Sequence, residues 1–319
     1  MKIIYWKPVS GNFGDDMNDW FWDALLSDIK DDRMYFIIGI GTLLGDIISD
    51  QIKNTGRQKK IVIGAGYGYG ISENLIDPNA NDWKFYCVRG PLTANYFNLD
   101  EKLSASDPAI MIPDLLPTTD TTHNEVAFVP HWETADYSQW EKATKLAGLR
   151  YIDPRNSSKA VIREIAGCKL VLAESLHAAI IADSYRIPWI GIRTSEGINN
   201  FKWRDWCASI GVTYEPVRLT ALVRLTFVEN AGKQQGLNLV KTVVERFIPS
   251  RFRRKIRSSV LLGLRKFVTP NSFENAVKQL HKQAVRGGFL SSDGEFQSAR
   301  GKFMAAIEMF KKDLREDNL

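Results

Sequence analysis

The chain has 319 residues, 44% hydrophobic and 25% charged, which is ordinary for a globular protein and too long for one ordinary core. No stretch approaches the ~20 apolar residues that cross a bilayer. The three cysteines, Cys87, Cys168 and Cys207, lack metal-type spacing. A disulfide scaffold, a zinc module and a membrane-spanning protein are therefore excluded, and a reducing, cytoplasmic setting is expected. The opening Met1-Lys-Ile-Ile-Tyr-Trp runs directly into a strand pattern, so no signal peptide is expected. The net charge of +5 is local: nine Lys and Arg crowd between Lys241 and Lys266 against one acid, Glu245.

Ile3 to Trp6 reads as the first strand and leads into Gly11-Asn12-Phe13-Gly14-Asp15-Asp16, followed by a helix from Asp19 to about Leu26. Gly11 and Gly14 allow backbone amides to approach a ligand, with Asp15 or Asp16 accepting sugar hydroxyls. A tight turn with an Asp cap is the plain alternative. Met34 to Ile40 and Lys60 to Gly64 are the second and third strands. They end in glycine-rich loops through Gly41 and Gly66 that suit a substrate but are not a dinucleotide fingerprint, because Tyr69 falls where the last glycine belongs. Phe85 to Val88 is the fourth strand. Arg89 follows it at a helix start marked by Gly90 and Pro91, placed either for a phosphate or carboxylate or for an ion pair with a nearby Asp. Ser106 to Ile112 reads as a fifth strand, with Asp107 at its beginning.

Pro113 to Asn124 has linker composition, and the alternation then restarts. Glu125 to Pro130 is a strand ending at His131, Trp140 to Leu146 a helix, Tyr151 to Pro154 a short strand and Lys159 to Gly167 a helix. Lys169 to Ala173 is a buried strand, and Ser175 caps the helix that carries His177. Pro188 stops that helix, and Trp189 to Ile192 is the next strand, leading to Arg193. A helix through Lys202 and a last strand at Val212 to Pro216 complete the series. Two runs of alternating strands and helices imply two Rossmann-like, doubly wound parallel-sheet domains, residues 1–118 and 119–217, with a cleft between them. His177 lies where a strand gives way to a helix. It is either an acid–base group near a bound anion or a packed imidazole.

Residues 218–319 form a third part, a helical basic tail interrupted by Pro249, Pro270 and Gly287-Gly288. Over residues 238–268, apolar side chains such as Phe247, Phe252 and Leu261 mix with Arg and Lys, the pattern of a helix on an anionic membrane surface. A helix packed on the protein with a solvated basic face fits equally well. No nucleic-acid module accompanies the charge, so no nucleic-acid partner is expected.

Taken in order, Gly11-Asn-Phe-Gly-Asp15, Arg89-Gly-Pro-Leu-Thr93, Ser106-Asp-Pro-Ala109 and Ser175-Leu-His-Ala-Ala-Ile-Ile-Ala-Asp183 resemble the polysaccharide pyruvyltransferases. Phe201-Lys-Trp-Arg-Asp-Trp206 is similar to their exopolysaccharide, succinoglycan-type branch. The resemblance covers roughly residues 1 to 215. It implies a GT-B-like pair of domains and transfer of a pyruvyl group from phosphoenolpyruvate to two hydroxyls of one sugar as a cyclic ketal. The family's cleft arginine matches Arg89, its histidine His177 and its loop aspartate Asp15. Ala178 stands where the family often has Gly. Phosphoenolpyruvate demands fixed positive charge, from Arg89 with Arg193 or Lys202, and an acid–base imidazole. The catalytic set is thus His177, Arg89 and Asp15. Gly11, Asn12, Gly14, Asp16, Gly41, Gly66, His131, Ser175, Arg193 and Lys202 are substrate contacts, and no metal or cofactor is expected beyond the donor. The partners implied are phosphoenolpyruvate and a saccharide acceptor, such as a lipid-linked oligosaccharide met at the inner face of the cell membrane.

Two other functions compete. A GT-B glycosyltransferase using a nucleotide sugar needs an acid for the ribose, for which Glu196 is the candidate. A non-catalytic sugar-binding subunit of a polysaccharide assembly complex needs no intact acid–base group.

Overall fold

The computed structural model describes residues 1–29, 34–56, 58–70, 76–118, 124–137, 139–222 and 270–318, and helices are numbered over these residues. In the first half β1 (Lys2–Ile4), β2 (Phe36–Ile38), β3 (Lys60–Ile63) and β4 (Trp83–Cys87) lie side by side in chain order, all parallel. Short helices follow their ends: α1 (Phe13–Asp16), α2 (Phe21–Leu25), α3 (Ser49–Lys53) and α4 (Pro91–Tyr96).

Two expectations for this half are corrected. Each strand is added on the same side of the one before, so the sheet has no reversal of strand order and is not doubly wound. The expected fifth strand is helical instead: a 3-10 turn at Pro108–Met111 runs into α5 (Ile112–Leu115). The Asp107 carboxylate accepts the Ala109 N–H at 3.0 Å and Pro108 occupies the first turn. Those helix-start features outweigh the apolar run that suggested a strand.

The second half is built from β5 (Val126–Val129), α6 (Trp132–Tyr137), α7 (Trp140–Leu146), β6 (Arg150–Tyr151), α8 (Ser158–Ala166), β7 (Leu170–Ala173), α9 (Leu176–Ser184), β8 (Trp189–Arg193), α10 (Asn200–Ser209) and β9 (Val217–Arg218). Its sheet is parallel with order β6-β5-β7-β8-β9, so the chain reverses direction between β5 and β7. This sheet is doubly wound. Its last strand begins at Val217 rather than Val212, because Val212 and Tyr214 pack against the core as loop residues.

Side-chain alternation assigns the faces. Ile37, Ile61 and Ile63 from the first sheet and Ala127, Val129, Val171 and Ala173 from the second enter one continuous apolar core. Ile4, Ile38 and Val62 face a second cluster, and Phe128, Leu170 and Leu172 a third. Helix α9 lies inside the shared core, against β7, α8 and the Pro108–Met111 turn, and all nine of its residues are buried. A segment reading Leu-His-Ala-Ala-Ile-Ile-Ala-Asp-Ser has no solvent stripe, so burial on every side is its stable placement.

The described part of the tail packs on the protein. Helix α11 (Pro270–Ala284) lies on α7 and β7, and α12 (Asp293–Arg315) returns to β4 of the first sheet. Phe303 and Phe310 on α12 are fully buried, and Asp313 accepts the Tyr86 hydroxyl at 2.6 Å and pairs with Lys84 at 2.8 Å. The end of α9 secures the start of α12: Asp183 accepts the Trp189 indole N–H at 2.9 Å and the Ser291 N–H at 3.0 Å. Residues 238–268, where a lipid-facing helix is expected, lie outside the described residues. No helix among the described residues is long and apolar enough to cross a membrane.

If α12 is part of the core, Phe310→Ala costs about 3–5 kcal/mol, the range for emptying a buried aromatic site. Urea unfolding measures it, and a loss within error of zero would place α12 outside the cooperative unit.

Candidate functional site

In parallel sheets the loops after the strands gather at one edge, and both sheets contribute loops to a single cavity there. It has a volume of about 410 Å³. Trp6, Asn12 and Asp15 reach it from beyond β1, Thr42 and Asp46 from beyond β2, Tyr69 and Gly70 from beyond β3, and Lys202 from α10. His131, Trp132 and Glu133 follow β5, and Ser175, Leu176 and His177 follow β7. These last two groups flank the point where strand order reverses, the place where a doubly wound sheet leaves a crevice.

Helix α9 presents its N-terminus to the cavity, with Ser175 in extended geometry ahead of it and no side-chain cap on the first amides. That end carries partial positive charge. His177 stands in the first turn, most of its surface buried. A side chain at residue 14 would overlap the imidazole, so Gly14 is required by the close approach of α1 to His177. His177 Nε2 is buried without a hydrogen-bond partner and points at Asp107 Oδ2, 3.7 Å away and also unpartnered.

Asp15 faces the same space from α1. Burial pushes its carboxyl up to about 6, opposed by His177, by Lys202 and by the Asn12 amide that donates to it at 2.5 Å. Lys202 is buried, with its Nζ donating to the Tyr69 hydroxyl at 3.2 Å and lying over that ring. Trp6 and Trp132 stand 5.4 Å apart between ring centroids and form an apolar wall. Behind the cavity Glu174 ties three strand ends together. It accepts the His131 and Thr194 N–H groups, each at 3.0 Å, together with the Thr194 hydroxyl. Burial raises its pKa, with the Thr194, His131 and Thr134 hydrogen bonds opposing.

Of the expected site residues, Asn12, Asp15, His131, Ser175, His177 and Lys202 line the cavity together. Arg89 is not among the residues that line it. It is fully buried, with Nε donating to Asp205 at 3.0 Å, Nη1 to Thr42 at 2.8 Å and Nη2 to the Tyr67 carbonyl at 3.0 Å. Of the two readings its sequence position allows, the ion pair is the one observed. Gly66 lies against that guanidinium, Gly41 against Asp15 and Gly11 against the Arg155 carbonyl, where a side chain would collide with these groups. Asp16 accepts the Asn12 N–H at 3.2 Å, and Arg193 pairs with Glu196 at 2.7 Å; neither lines the cavity.

Sequence reasoning missed Trp6, Tyr69, Trp132 and Glu133 as lining residues, although Trp132 and Glu133 directly follow His131 at a strand end. It also took Asp107 for the start of a strand, while the Asp-Pro pair marked a helix start. Among the described residues, no three His, Cys, Asp or Glu side chains form a metal-type cluster.

Fold and cavity together define the class: an α/β protein with a cavity at the carboxyl ends of two parallel sheets, lined by a cation, an imidazole, a carboxylate and aromatic walls. The family model for polysaccharide pyruvyl transferase matches residues 8–196, and the chain belongs to that family. It is 42% identical over 243 residues, 75% of this chain and 74% of the relative, to the succinoglycan biosynthesis protein ExoV of Rhizobium meliloti (strain 1021).

Because burial holds the Asp15 proton more tightly in the folded protein, Asp15 favours the fold at acid pH. That contribution fades as pH rises from 3.8 towards about 6. Asp15→Asn is therefore expected to raise Tm at pH 8 relative to the parent and to leave it nearly unchanged at pH 4. Equal shifts at both pH values would show that Asp15 is solvated.

Proposed function

We propose that this chain transfers a pyruvyl group from phosphoenolpyruvate to two hydroxyls of a sugar residue, forming a cyclic ketal, in bacterial exopolysaccharide synthesis. The observation that carries this reading is the convergence of Lys202, the α9 N-terminus, His177 and Asp15 on one cavity walled by Trp6 and Trp132. The donor bears a phosphate and a carboxylate, and Lys202 with the helix end supplies positive charge for them. The indole rings suit the apolar face of a sugar, and Asp15 can orient the acceptor diol. Arg89 acts from behind, holding Thr42 and α10 in place.

In the reaction the methylene carbon of phosphoenolpyruvate gains a proton and C2 becomes electrophilic. One sugar oxygen bonds to C2 as its proton leaves, and the bond from C2 to the phosphate oxygen breaks with its electron pair going to phosphate. The second sugar oxygen then bonds to C2 and closes the ring. Of the two hydroxyl protons, one balances the new methyl group and the other leaves with inorganic phosphate. His177 is assigned as the group that gives and takes these protons. The chemistry asks for no cofactor beyond the donor.

The two sheets are read as a GT-B-like pair, divided near residue 118, with 218–319 as the appended tail. The relative's printed name concerns succinoglycan biosynthesis, which supports an exopolysaccharide acceptor. A lipid-linked oligosaccharide would place the protein in the cytoplasm at the inner membrane face, with residues 238–268 on anionic lipid. Replacing Arg251, Arg253, Arg254, Lys255 and Arg257 with Gln should abolish co-sedimentation with vesicles containing anionic lipid. Unchanged sedimentation would remove the membrane role.

The glycosyltransferase alternative loses its ribose ligand, since Glu196 pairs with Arg193 at 2.7 Å and Arg218 at 3.1 Å outside the cavity. Incubation with phosphoenolpyruvate and acceptor should release inorganic phosphate and add one pyruvyl group to the sugar, whereas a glycosyltransferase would release nucleotide from a nucleotide sugar. His177→Ala should lower turnover by about 10²–10⁴-fold, the range for acid–base groups. Equal rates for parent and variant would favour a sugar-binding subunit or another catalyst.

A further inference from the structure

The pair formed by His177 and Asp107 has a geometry that ordinary packing does not explain. Asp107 is fully buried. One of its oxygens is committed, Oδ1 accepting the Ala109 N–H at 3.0 Å, while Oδ2 has no hydrogen-bond partner. Opposite it, His177 Nε2 is likewise buried and unpartnered, 3.7 Å from Oδ2. A buried carboxylate oxygen and a buried ring nitrogen left without partners are costly unless they serve each other. A closure of well under 1 Å makes the contact a hydrogen bond. The other ring nitrogen, Nδ1, lies on the edge beside Gly14, and the imidazole lines the cavity.

The structure assigns Asp107 as a positioning residue that keeps the His177 proton on Nε2, so that Nδ1 offers its lone pair to the cavity. This rests on the pyruvyl-transfer reading, in which His177 is the acid–base group. A carboxylate facing Nε2 can only accept, so it selects the Nε2–H form of the neutral ring. When Nδ1 takes the proton of an attacking sugar hydroxyl, the imidazolium is stabilised by Asp107 facing Nε2 and by the nearby Asp15 carboxylate. The titratable groups around His177 are Asp107 ahead of the Pro108–Met111 turn and, lining the same cavity, Asp15 from α1, Asp46, His131, Glu133 and Lys202 from α10; the first turn of α9 carries no charge.

The geometry also fixes how Asn would behave at residue 107. Its oxygen must keep the Ala109 N–H bond, so its NH₂ faces Nε2 and donates. That reverses the tautomer to Nδ1–H and takes the lone pair out of the cavity, while the volume and the helix start are preserved.

The experiment is ¹⁵N-imidazole NMR on the full chain, which has only four histidines, with the His177 signals assigned by their loss in His177→Ala. At pH 8 the parent should carry the His177 proton on Nε2, and Asp107→Asn should move it to Nδ1 with far-UV CD unchanged. In phosphate-release kinetics, Asp107→Asn should lower kcat by about 10²–10⁴-fold. KM for phosphoenolpyruvate should stay within a factor of about three. A parent protein with the proton on Nδ1 overturns the assignment even if Asp107→Asn fails to fold. So does an Asp107→Asn variant with the parent's tautomer and rate. A parent that releases no phosphate from phosphoenolpyruvate defeats the functional reading instead, and leaves the tautomer result to decide the dyad.

Discussion

The arrangement depends on one fully buried ion pair, Arg89 with Asp205. Asp205 belongs to α10 in the second half, and besides the guanidinium it accepts the Thr93 N–H at 2.9 Å and the Thr93 hydroxyl at 2.6 Å. The first half thus holds α10 through β4 and the first turn of α4. Lys202 is one helical turn before Asp205 on the same helix, so the pair also fixes the cation that reaches the cavity. A buried pair of this kind adds little net stability over an apolar replacement, yet losing one partner leaves an uncompensated charge. The pair ties the two halves together at a fixed point.

The cavity inherits this precision. Three of its chemical groups sit on segments held by burial rather than by loops in solvent: Asp15 on α1, His177 on the fully buried α9 and Lys202 on α10. Glu174 binds the ends of β5, β7 and β8 into one unit, so His131 and the Ser175–His177 turn keep a fixed spacing. Holding Asp15 there costs folding energy, as its raised pKa shows. Sites that need a carboxylate of intermediate acidity accept such a cost.

Much of the fold was legible because strand and helix periods are local. The unit from Leu170 through α9 to β8 was readable almost to the residue, since Ser175 and Pro188 mark the helix at both ends. At Ser106–Ile112 an apolar run looked like a strand, but apolarity reports burial and leaves the backbone conformation open. Asp107 with Pro108 decided this case. The winding of the first sheet was also illegible, because strand order is a choice among pairings that local pattern does not encode.

Within the site, the sequence by itself determined which chemical groups exist at strand ends: an imidazole in the first turn of α9, a carboxylate in α1, a lysine in α10 and an arginine after β4. A strand followed by a helix forces its junction residues to one edge of the sheet. Which of those groups meet was decided by tertiary structure alone. Arg89 and Lys202 are both cations near helix starts, and nothing local separates them. Asp205, 116 residues beyond Arg89, neutralises the first and leaves the second facing the cavity. Long-range charge pairing is invisible to local pattern, and here it decides which cation lines the cavity and which is buried in an ion pair.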